Sequence, residues 1–326
     1  MARVAVLGAG AWGTAIASVL AARLEVALWA RDPAQAEAIA ATRRNERYLP
    51  GIEISRSIDI TSDLDRAMAQ AQLALVATPV AGLRDTLRRL GKQTSFVWLC
   101  KGFEEGSGLL PHQIVEEVLG GGARCGALSG PSFAAEVARG LPCALTLASR
   151  DPDFARDSAA LLHGGRMRVY YSADLVGVEI GGAVKNVMAI AAGISDGLGL
   201  GQNARAALIT RGLAEIARLG ASFGGSPETF FGLAGAGDLI LTATGDLSRN
   251  RRVGLELAGG RSLADILAGL GHVAEGVSSA KEVARIAAAR GVDMPVTDAV
   301  NAVLEGKLAP AKAVELLLSR DPKKER

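Results

Sequence analysis

One lysine stands in a segment that is otherwise apolar and rich in glycine, Gly181-Gly-Ala-Val-Lys185-Asn186. A lysine in such surroundings either extends its ammonium group to solvent or is retained for its charge and its proton, and the sequence leaves both possibilities open. Two adjacent glycines inside a helix cost about 1 kcal/mol each relative to alanine, which makes sense where backbone or ligand must approach closely. Glu179 lies off the i,i+3 and i,i+4 spacings from Lys185, so we do not expect these two residues to pair on one helix face.

Two later segments could also hold charged groups in place. A carboxylate follows glycines in Gly235-Ala-Gly-Asp238, and an Arg/Asn cluster follows in Ser248-Arg-Asn-Arg-Arg252. An arginine and an asparagine at the start of a helix offer side-chain donors together with backbone N–H groups, a combination that suits phosphate. The competing interpretation of the second segment is a solvated basic surface.

The start of the chain has the order strand, glycine turn, helix: Val4-Ala-Val-Leu7, then Gly8-Ala-Gly-Ala-Trp-Gly13, then Thr14-Ala-Ile-Ala-Ser-Val-Leu20. In a dinucleotide-binding turn the first glycine permits the tight bend, the second lets phosphate approach the backbone, and the third lets helix and strand pack closely. The motif alone is weak in a chain with 40 glycines, but the flanking strand and helix strengthen it. The alternative is a tight turn that binds no ligand.

The second predicted strand ends in Trp29-Ala-Arg31-Asp32, about 20 residues beyond the glycine turn. An acidic residue at this place binds the ribose hydroxyls of NAD, whereas a cation favours the 2′-phosphate of NADP. Arg31 therefore predicts a preference for NADP(H), with NAD(H) still possible. Two alternatives remain open: Asp32 is the ribose ligand, or Arg31 is a solvated loop residue.

Apolar runs alternate with helical stretches in the first half of the chain. Near-continuous apolar strands between helices predict a mostly parallel sheet with both faces covered, and ligands bind such sheets beyond the carboxyl ends of the strands. The predicted strands are Val4–Leu7, Glu25–Ala30, Leu73–Ala77, Phe96–Cys100, Ala127–Ser129, Ala144–Ala148 and Met167–Tyr171.

The second half shows helical patterns and no strand signal. The expected helices include Ala173–Ile194, Ala204–Leu219 and Ser278–Ala289, with Ser262 as a cap and with helix starts at Pro295 and Pro310. We therefore predict an α/β Rossmann-type domain over residues 1–173 and an all-α substrate and catalytic domain over residues 174–326.

Composition and charge limit the kinds of ligand and partner that we expect for this protein. A formal net charge of +2 gives no reason to expect nucleic acid or a membrane surface. The odd and widely spaced cysteines Cys100, Cys125 and Cys143 indicate neither a disulfide framework nor a zinc site, and the three histidines have no metal spacing. We expect no metal, and buried structural roles for the cysteines. The first strand begins almost at Met1 and we expect no membrane-spanning run, which predicts a cytoplasmic protein.

The motifs together resemble one family, the bacterial glycerol-3-phosphate dehydrogenases that use NAD(P). The segments that carry the resemblance run in order along nearly the whole chain, and the Lys-Asn and Ser-Arg-Asn blocks are far more specific than the first glycines. They are Gly8–Ala15, Tyr48–Gly51, Lys101-Gly102, Leu128–Ser132, Gly177–Asn186, Asp196–Gly199, Thr210–Ile216, Gly235–Leu239 and Ser248–Asn250.

The resemblance implies an activity: reversible reduction of dihydroxyacetone phosphate to sn-glycerol 3-phosphate, which supplies the backbone of phospholipids. Lys185 would be the general acid/base, and the enzyme would be a homodimer. The substrate would be held by Lys101, Gly130, Ser132, Lys185, Asn186, Asp238, Thr242, Ser248, Arg249 and Asn250. The nucleotide would be held by Gly8, Gly10, Ala11, Trp12, Gly13, Arg31, Tyr48, Lys101, Ala134, Arg249, Val273 and Glu275.

The sequence departs from the family pattern at two positions. Ala11 stands where many relatives carry serine, so one phosphate hydrogen bond is lost or is supplied by backbone. Asp32 stands where relatives often carry a second basic residue or histidine, which weakens the preference for NADP. The alternative enzyme is a two-domain 3-hydroxyacid dehydrogenase, which would need a carboxylate clamp in place of Ser248-Arg-Asn250. A nucleotide-binding regulator without catalysis should lack Lys185 and the clamp.

Overall fold

The computed structural model describes residues 1–92, 94–270 and 274–321. The chain divides into two compact units, Met1–Glu104 with Leu109–Glu179 and Glu105–Gly108 with Ile180–Arg326. The division lies inside the helix Leu175–Gly197, close to the predicted boundary at residue 174.

The first unit is built on an eight-stranded sheet with the order β10-β9-β8-β7-β6-β1-β2-β5. All its neighbouring strands pair in parallel except β8 and β9, so the predicted mostly parallel sheet is confirmed. The short hairpin β3–β4 lies outside this sheet. The strands are β1 Arg3–Leu7, β2 Glu25–Trp29, β3 Arg44–Asn45, β4 Leu49–Glu53, β5 Asp59–Thr61, β6 Leu73–Val76, β7 Phe96–Trp98, β8 Cys125–Ser129, β9 Cys143–Ala148 and β10 Met167–Ser172.

The described residues of the first unit also form seven complete helices. Ile16 and Leu20 of α1, Ile39 of α2 and Phe154 of α7 share one buried apolar cluster with strand residues such as Val6. Removal of this apolar surface from water is the main force that holds helices to the sheet. The helices are α1 Ala11–Leu20, α2 Pro33–Thr42, α3 Leu64–Met68, α4 Val80–Leu90, α5 Pro111–Leu119, α6 Ala134–Ala138 and α7 Pro152–Leu162.

The described residues of the second unit form helices and no strands, as predicted. The helix starts at Pro295 and Pro310 are confirmed, and Ser262 Oγ accepts from the Asp265 N–H at 3.1 Å as a helix cap does. The helices are α8 Leu175–Gly197, which begins in the first unit, α9 Gly201–Ser222, α10 Pro227–Phe231, α11 Asp238–Thr244, α12 Arg249–Ala258, α13 Leu263–Leu270, α14 Glu275–Ala289, α15 Pro295–Leu304 and α16 Pro310–Leu318; a single π-turn, Leu233–Gly237, precedes α11.

Helices α8 and α12 touch backbone to backbone. A Cβ atom added to Gly254 would lie 2.7 Å from the Ile194 nitrogen, and one added to Gly197 would lie 2.6 Å from Ala258 Cβ. Contacts this short are not found between real side chains, so α12 can lie here only because glycine occupies these positions. The glycines thereby set how closely the middle and the end of α12 approach α8.

Helix α8 corrects one expectation from the sequence. We expected no run that could span a membrane, yet Leu175–Gly197 has the length and mean hydropathy of such a span. In the structure 94% of its most apolar window is buried within the protein, as in the core helix of a folded domain.

Candidate active site

The glycine turn joins β1 to α1. Gly8 has φ of +125°, and a Cβ atom there would lie 2.8 Å from the Ala77 carbonyl oxygen. A Cβ atom on Gly13 would overlap the Gly8 carbonyl oxygen, so this glycine lets helix and strand pack closely. Gly10 differs from both, because a Cβ atom there would have no heavy atom within 4 Å. The open side of the turn is therefore at Gly10.

The N-terminus of α1 faces this open side without a counter-charge. No described side chain caps Gly10, and the first turn, Ala11-Trp12-Gly13, holds no acidic residue. The first N–H groups of a helix lack partners within the helix and carry the positive end of its dipole. This turn therefore fits the pyrophosphate of a dinucleotide, and Ala11, which has no side-chain donor, offers only its backbone N–H group.

Polar side-chain atoms without partners collect at one edge of the sheet. Four buried side-chain atoms lack a hydrogen-bond partner within the described part of the chain, and three of them are Thr78 Oγ1, Trp98 Nε1 and Ser129 Oγ. Trp98 and Ser129 end β7 and β8, and Thr78 follows the end of β6. Buried polar atoms are normally hydrogen bonded, so this edge also fits a polar ligand.

The end of β2 places Arg31 and Asp32 differently. Arg31 is exposed, whereas Asp32 is the N-cap of α2 and accepts from the Ala34 N–H at 3.0 Å. The Asp32 carboxylate thus has a structural hydrogen bond of its own. Its role as a helix cap gives a reason for an acidic residue here other than a ribose contact.

Three of the predicted nucleotide residues lie around one small apolar cluster. Trp12 and Ala134 pack against buried Leu49 and Val137 in this cluster. Tyr48 precedes Leu49 directly and is half-buried, with the Arg47 guanidinium 5.1 Å from its ring centre.

Lys101, Gly130 and Ser132 all follow the carboxyl ends of the adjacent strands β7 and β8. Gly130 has φ of +136°, and Ser132 Oγ donates to the Gly130 carbonyl at 2.9 Å. Lys101 is half-buried. The first unit therefore places these predicted residues at the sheet edge where α/β folds bind ligands.

In the second unit the Lys185 ammonium is enclosed instead of extended to solvent. Lys185 is 8% exposed and Asp238 is 1% exposed. Lys185 Nζ donates to the Asp238 carboxylate, and also to Thr242 Oγ1 at 2.9 Å. The Thr242 hydroxyl in turn donates to the Asp238 carbonyl at 2.6 Å. Buried charges need such pairing, because burial without it costs several kcal/mol.

A glycine contact brings these groups together. A Cβ atom on Gly181 would lie 2.5 Å from the Ala234 carbonyl oxygen, so α8 approaches the π-turn only because Gly181 has no side chain. Lys185 lies one helical turn after Gly181, and Asp238 follows the π-turn directly. Single π-turns inside helices are rare and often mark functional sites.

Asn186, beside Lys185, joins two further helices. Asn250 Nδ2 donates to Asn186 Oδ1 at 3.0 Å, and the Gly276 N–H donates to Asn250 Oδ1 at 3.0 Å. Asn186 Nδ2 donates to Glu275 Oε2 at 3.2 Å. A Cβ atom on Gly276 would lie 2.7 Å from the Asn186 carbonyl oxygen, so glycine is required there as well. The first turns of α12 and α14 are thereby fixed beside Lys185.

The first residue of α12 is an exposed arginine. Arg249 is exposed and makes no hydrogen bond or ion pair with the described residues. Ser248 is the N-cap of α12 and accepts from the Arg251 N–H at 3.2 Å. The Arg251 side chain is anchored on Asp196, with Nε 2.9 Å from Oδ2. This turn therefore combines helix N–H groups with a guanidinium that is available to an anion.

Other candidate residues prove to be structural. Glu179 accepts from the His112 N–H at 2.9 Å and also pairs with the His112 ring, so its partner is not Lys185. Burial raises the pKa of the Glu179 carboxyl, and the contacts with His112 oppose this shift. Burial raises the pKa of the Cys125 thiol to about 12, which makes it a poor nucleophile.

Sequence reasoning missed several residues that shape the site. Asp196 lies in one of the family motifs, but its ion pairs with Arg251 and Arg205 have no local signal in the sequence. Asn45, which binds the glycine turn from β3, was not singled out at all. The predicted nucleotide residue Val273 lies outside the described residues.

Comparisons with known proteins agree with these observations. Residues 3–155 match the family described as NAD-dependent glycerol-3-phosphate dehydrogenase N-terminus, and residues 174–315 match its C-terminus. The chain is 59% identical to the glycerol-3-phosphate dehydrogenase (NAD(P)+) of Aromatoleum aromaticum, over 99% of this chain and 100% of the relative. It is 58% identical to the enzyme of that name from Dechloromonas aromatica, over 99% of each chain.

A solved structure gives the same result. The crystal structure of glycerol-3-phosphate dehydrogenase from Coxiella burnetii matches with a TM-score of 0.92 and 41% identity, over 98% of this chain and 99% of that chain. The resemblance that the motifs indicated is thereby confirmed. The chain belongs to the family of NAD(P)-dependent glycerol-3-phosphate dehydrogenases.

Proposed function

We propose that this protein reduces dihydroxyacetone phosphate to sn-glycerol 3-phosphate with NAD(P)H, in a reversible reaction. The observation that carries the proposal is that the buried Lys185–Asp238 pair is connected to the first turn of α12. The connection is the hydrogen bond between Asn186, which follows Lys185, and Asn250, which follows Arg249. A proton donor and an anion-binding turn thus belong to one connected cluster. The full-length relatives named above carry this activity in their names.

Lys185 acts as the general acid in the reduction. NAD(P)H, when bound, supplies the hydride that attacks C2 of the ketone. Negative charge then develops on the carbonyl oxygen, and the Lys185 ammonium stabilises that charge and transfers a proton to the oxygen. In the reverse direction the neutral amine accepts the proton from the alcohol.

Asp238 and Thr242 keep the lysine ready for this role. The Asp238 carboxylate stabilises the ammonium form, and Thr242 Oγ1 fixes a second direction around Nζ. A flexible lysine chain would otherwise lose rotamer entropy when it reaches the carbonyl oxygen. The pre-arranged pair thus reduces the reorganisation required in the transition state.

Arg249 binds the phosphate of the substrate, together with the N–H groups of the first turn of α12. This phosphate is remote from the reacting carbon, so its binding energy serves to orient the ketone towards Lys185. Asn250 holds the turn in place, because both polar ends of its side chain already bind protein groups. A 3-hydroxyacid substrate has no phosphate for this turn, which favours the triose phosphate over that alternative.

The glycine turn holds the pyrophosphate of the nucleotide, and the preferred nucleotide is NADPH. Two features support this preference: Arg31 is exposed at the end of β2, and the Asp32 carboxylate is engaged as the cap of α2. A guanidinium attracts a 2′-phosphate, whereas NADH has only a hydroxyl group to offer there.

The cellular role follows from the product. We propose that the enzyme supplies glycerol phosphate for phospholipid synthesis in the cytoplasm, as a homodimer and without a metal. Loss of the gene should then cause a requirement for glycerol, and light scattering should give twice the mass of the 33.5 kDa chain.

The test is a set of initial rates with the purified protein. We expect oxidation of NADPH, and more slowly of NADH, with dihydroxyacetone phosphate, and one equivalent of glycerol 3-phosphate formed per nucleotide oxidised. The 3-oxo acids should give no turnover. Turnover of a 3-oxo acid and none of dihydroxyacetone phosphate would contradict the proposal and favour the hydroxyacid dehydrogenase.

A further inference from the structure

The glycine turn is held from behind by two side-chain amides. Asn45, at the end of β3, is 2% exposed, and its Nδ2 donates to the Ala9 carbonyl at 2.9 Å. Gln35 on α2 donates to the same carbonyl at 2.8 Å. A carbonyl oxygen has two lone pairs, so two side-chain donors satisfy it fully.

These two hydrogen bonds also fix the direction of the next N–H group. The Ala9 carbonyl and the Gly10 N–H belong to the same planar trans peptide, in which C=O and N–H point in opposite directions. With the carbonyl held by Asn45 and Gln35, the Gly10 N–H points away from them. Gly10 is also the residue at which the turn has open space.

Asn45 makes a second contact that closes the turn. Its Nδ2 also donates to Thr14 Oγ1 at 2.8 Å, and Thr14 is fully buried in the first part of α1. One amide group therefore connects the residue before Gly10 with a residue four positions after it. The two ends of the anion-facing backbone are held at a fixed separation.

We infer that Asn45 and Gln35 are positioning residues for the pyrophosphate of the nucleotide. This inference rests on the proposed function, in which the glycine turn binds a dinucleotide. Neither residue is required to touch the ligand; each acts through the Ala9–Gly10 peptide. If that peptide rotated, a carbonyl oxygen would face the phosphate in place of an N–H group, and binding would become unfavourable.

The experiment compares two ligands in equilibrium binding measurements. NADPH carries the pyrophosphate, whereas adenosine 2′-monophosphate carries the adenine and the 2′-phosphate without it. The variants are Asn45→Ala and Gln35→Met, and Met has a length similar to that of Gln but no donor. Glu37→Met is the matched control, because Glu37 is exposed on the same helix.

We expect Asn45→Ala to raise the Kd for NADPH about tenfold and Gln35→Met about threefold, since each removes donors of ordinary strength. The Kd for adenosine 2′-monophosphate should change by less than about twofold in both, and Glu37→Met should leave both constants unchanged. Gln35 is only half-buried, so Gln35→Met decides the question if Asn45→Ala does not fold.

Two results would overturn the inference while leaving the proposed function intact. An unchanged Kd for NADPH in the variants would show that the amides do not position the turn. Equal increases for both ligands would show general damage to the unit. Failure of the unaltered protein to bind NADPH would instead contradict the proposed function, and the inference with it.

Discussion

In the first unit we propose that backbone N–H groups bind the anion, whereas in the second unit the charged group is the Lys185 side chain, already paired with the Asp238 carboxylate. The glycine turn leaves space open at Gly10. The Lys185 cluster leaves almost none, because Lys185 and Asp238 are both buried. A site built from backbone N–H groups requires a position without a side chain, here Gly10. A site built from a charged side chain requires a partner for that charge, here Asp238 for Lys185.

Gly10→Ala tests the backbone site most severely. A Cβ atom at this position meets nothing in the protein, and the backbone there, with φ of −78°, suits any residue. We therefore expect an unchanged Tm and a Kd for NADPH that rises about a hundredfold, because the methyl group occupies the space of the phosphate. Calorimetry and equilibrium binding measure both values. Tight NADPH binding by this variant would mean that the phosphate lies elsewhere.

Arg249→Ala tests the side-chain site of the second unit. The loss of a guanidinium that binds phosphate should raise the KM for dihydroxyacetone phosphate about thirtyfold, with a smaller change in the Kd for NADPH. Arg252→Ala is the matched control, since Arg252 lies on the same helix and pairs with Glu256. An unchanged KM in Arg249→Ala would remove this residue from phosphate binding.

Arg31→Ala sharpens the comparison at the end of β2, where we propose that a side chain contributes to nucleotide binding. We expect the KM for NADPH to rise about tenfold while that for NADH stays the same, because only NADPH has the 2′-phosphate. Asp32→Asn preserves the helix cap and should leave both values within about twofold. A selective rise in the KM for NADH in Asp32→Asn would instead identify Asp32 as the ribose ligand.

The smallest effect that we expect is on thermal stability, at Glu215. This buried carboxylate can be compared with Asp238 in the same unit. Asp238 pairs with a lysine, whereas the buried Glu215 carboxylate accepts from the N–H groups of Val296 and Thr297 at 2.7 and 3.1 Å and so caps α15. Burial raises the pKa of the Glu215 carboxyl to about 7, although the hydrogen bonds to this carboxyl lower it. The folded state therefore binds the proton more tightly than the unfolded state does. Its contribution to stability is complete below the unfolded pKa and is lost as the pH rises through about 7.

The measurement is thermal unfolding at pH 5 and pH 8. The unaltered protein should lose a few degrees more in Tm over this interval than Glu215→Gln, which does not titrate. Equal pH dependence in the two proteins would mean that Glu215 ionises in the fold without cost.

The sequence predicted the first unit better than the second for a physical reason. A parallel sheet needs buried apolar strands, and a glycine turn needs glycine at fixed spacing, so both leave local patterns such as Val4–Gly13. The strands β3 and β5 have only two and three residues, too few to produce an apolar pattern, and β4 contains Pro50 and Gly51, which are not typical of a strand.

The Lys185 cluster joins residues from distant parts of the chain. Lys185 and Asp238 are 53 positions apart, and Asn186 and Glu275 are 89 apart. No local periodicity encodes such contacts. The sequence around Lys185 therefore does not decide whether its ammonium group extends to solvent or is retained for its charge and its proton. The π-turn that places Asp238 likewise has no helical or strand pattern of its own. Only the resemblance to a known family indicates from the sequence that these segments belong to one site.

The turnover of Lys185→Ala tests the central claim most directly. The account predicts a kcat for dihydroxyacetone phosphate reduction about a thousandfold below that of the unaltered protein, since general acid catalysis is removed, while the Kd for NADPH stays within about twofold. Lys281→Ala, which removes an exposed lysine of α14, should keep normal turnover. A kcat within about tenfold of normal in Lys185→Ala would contradict the account, because a proton donor cannot be lost at so small an effect.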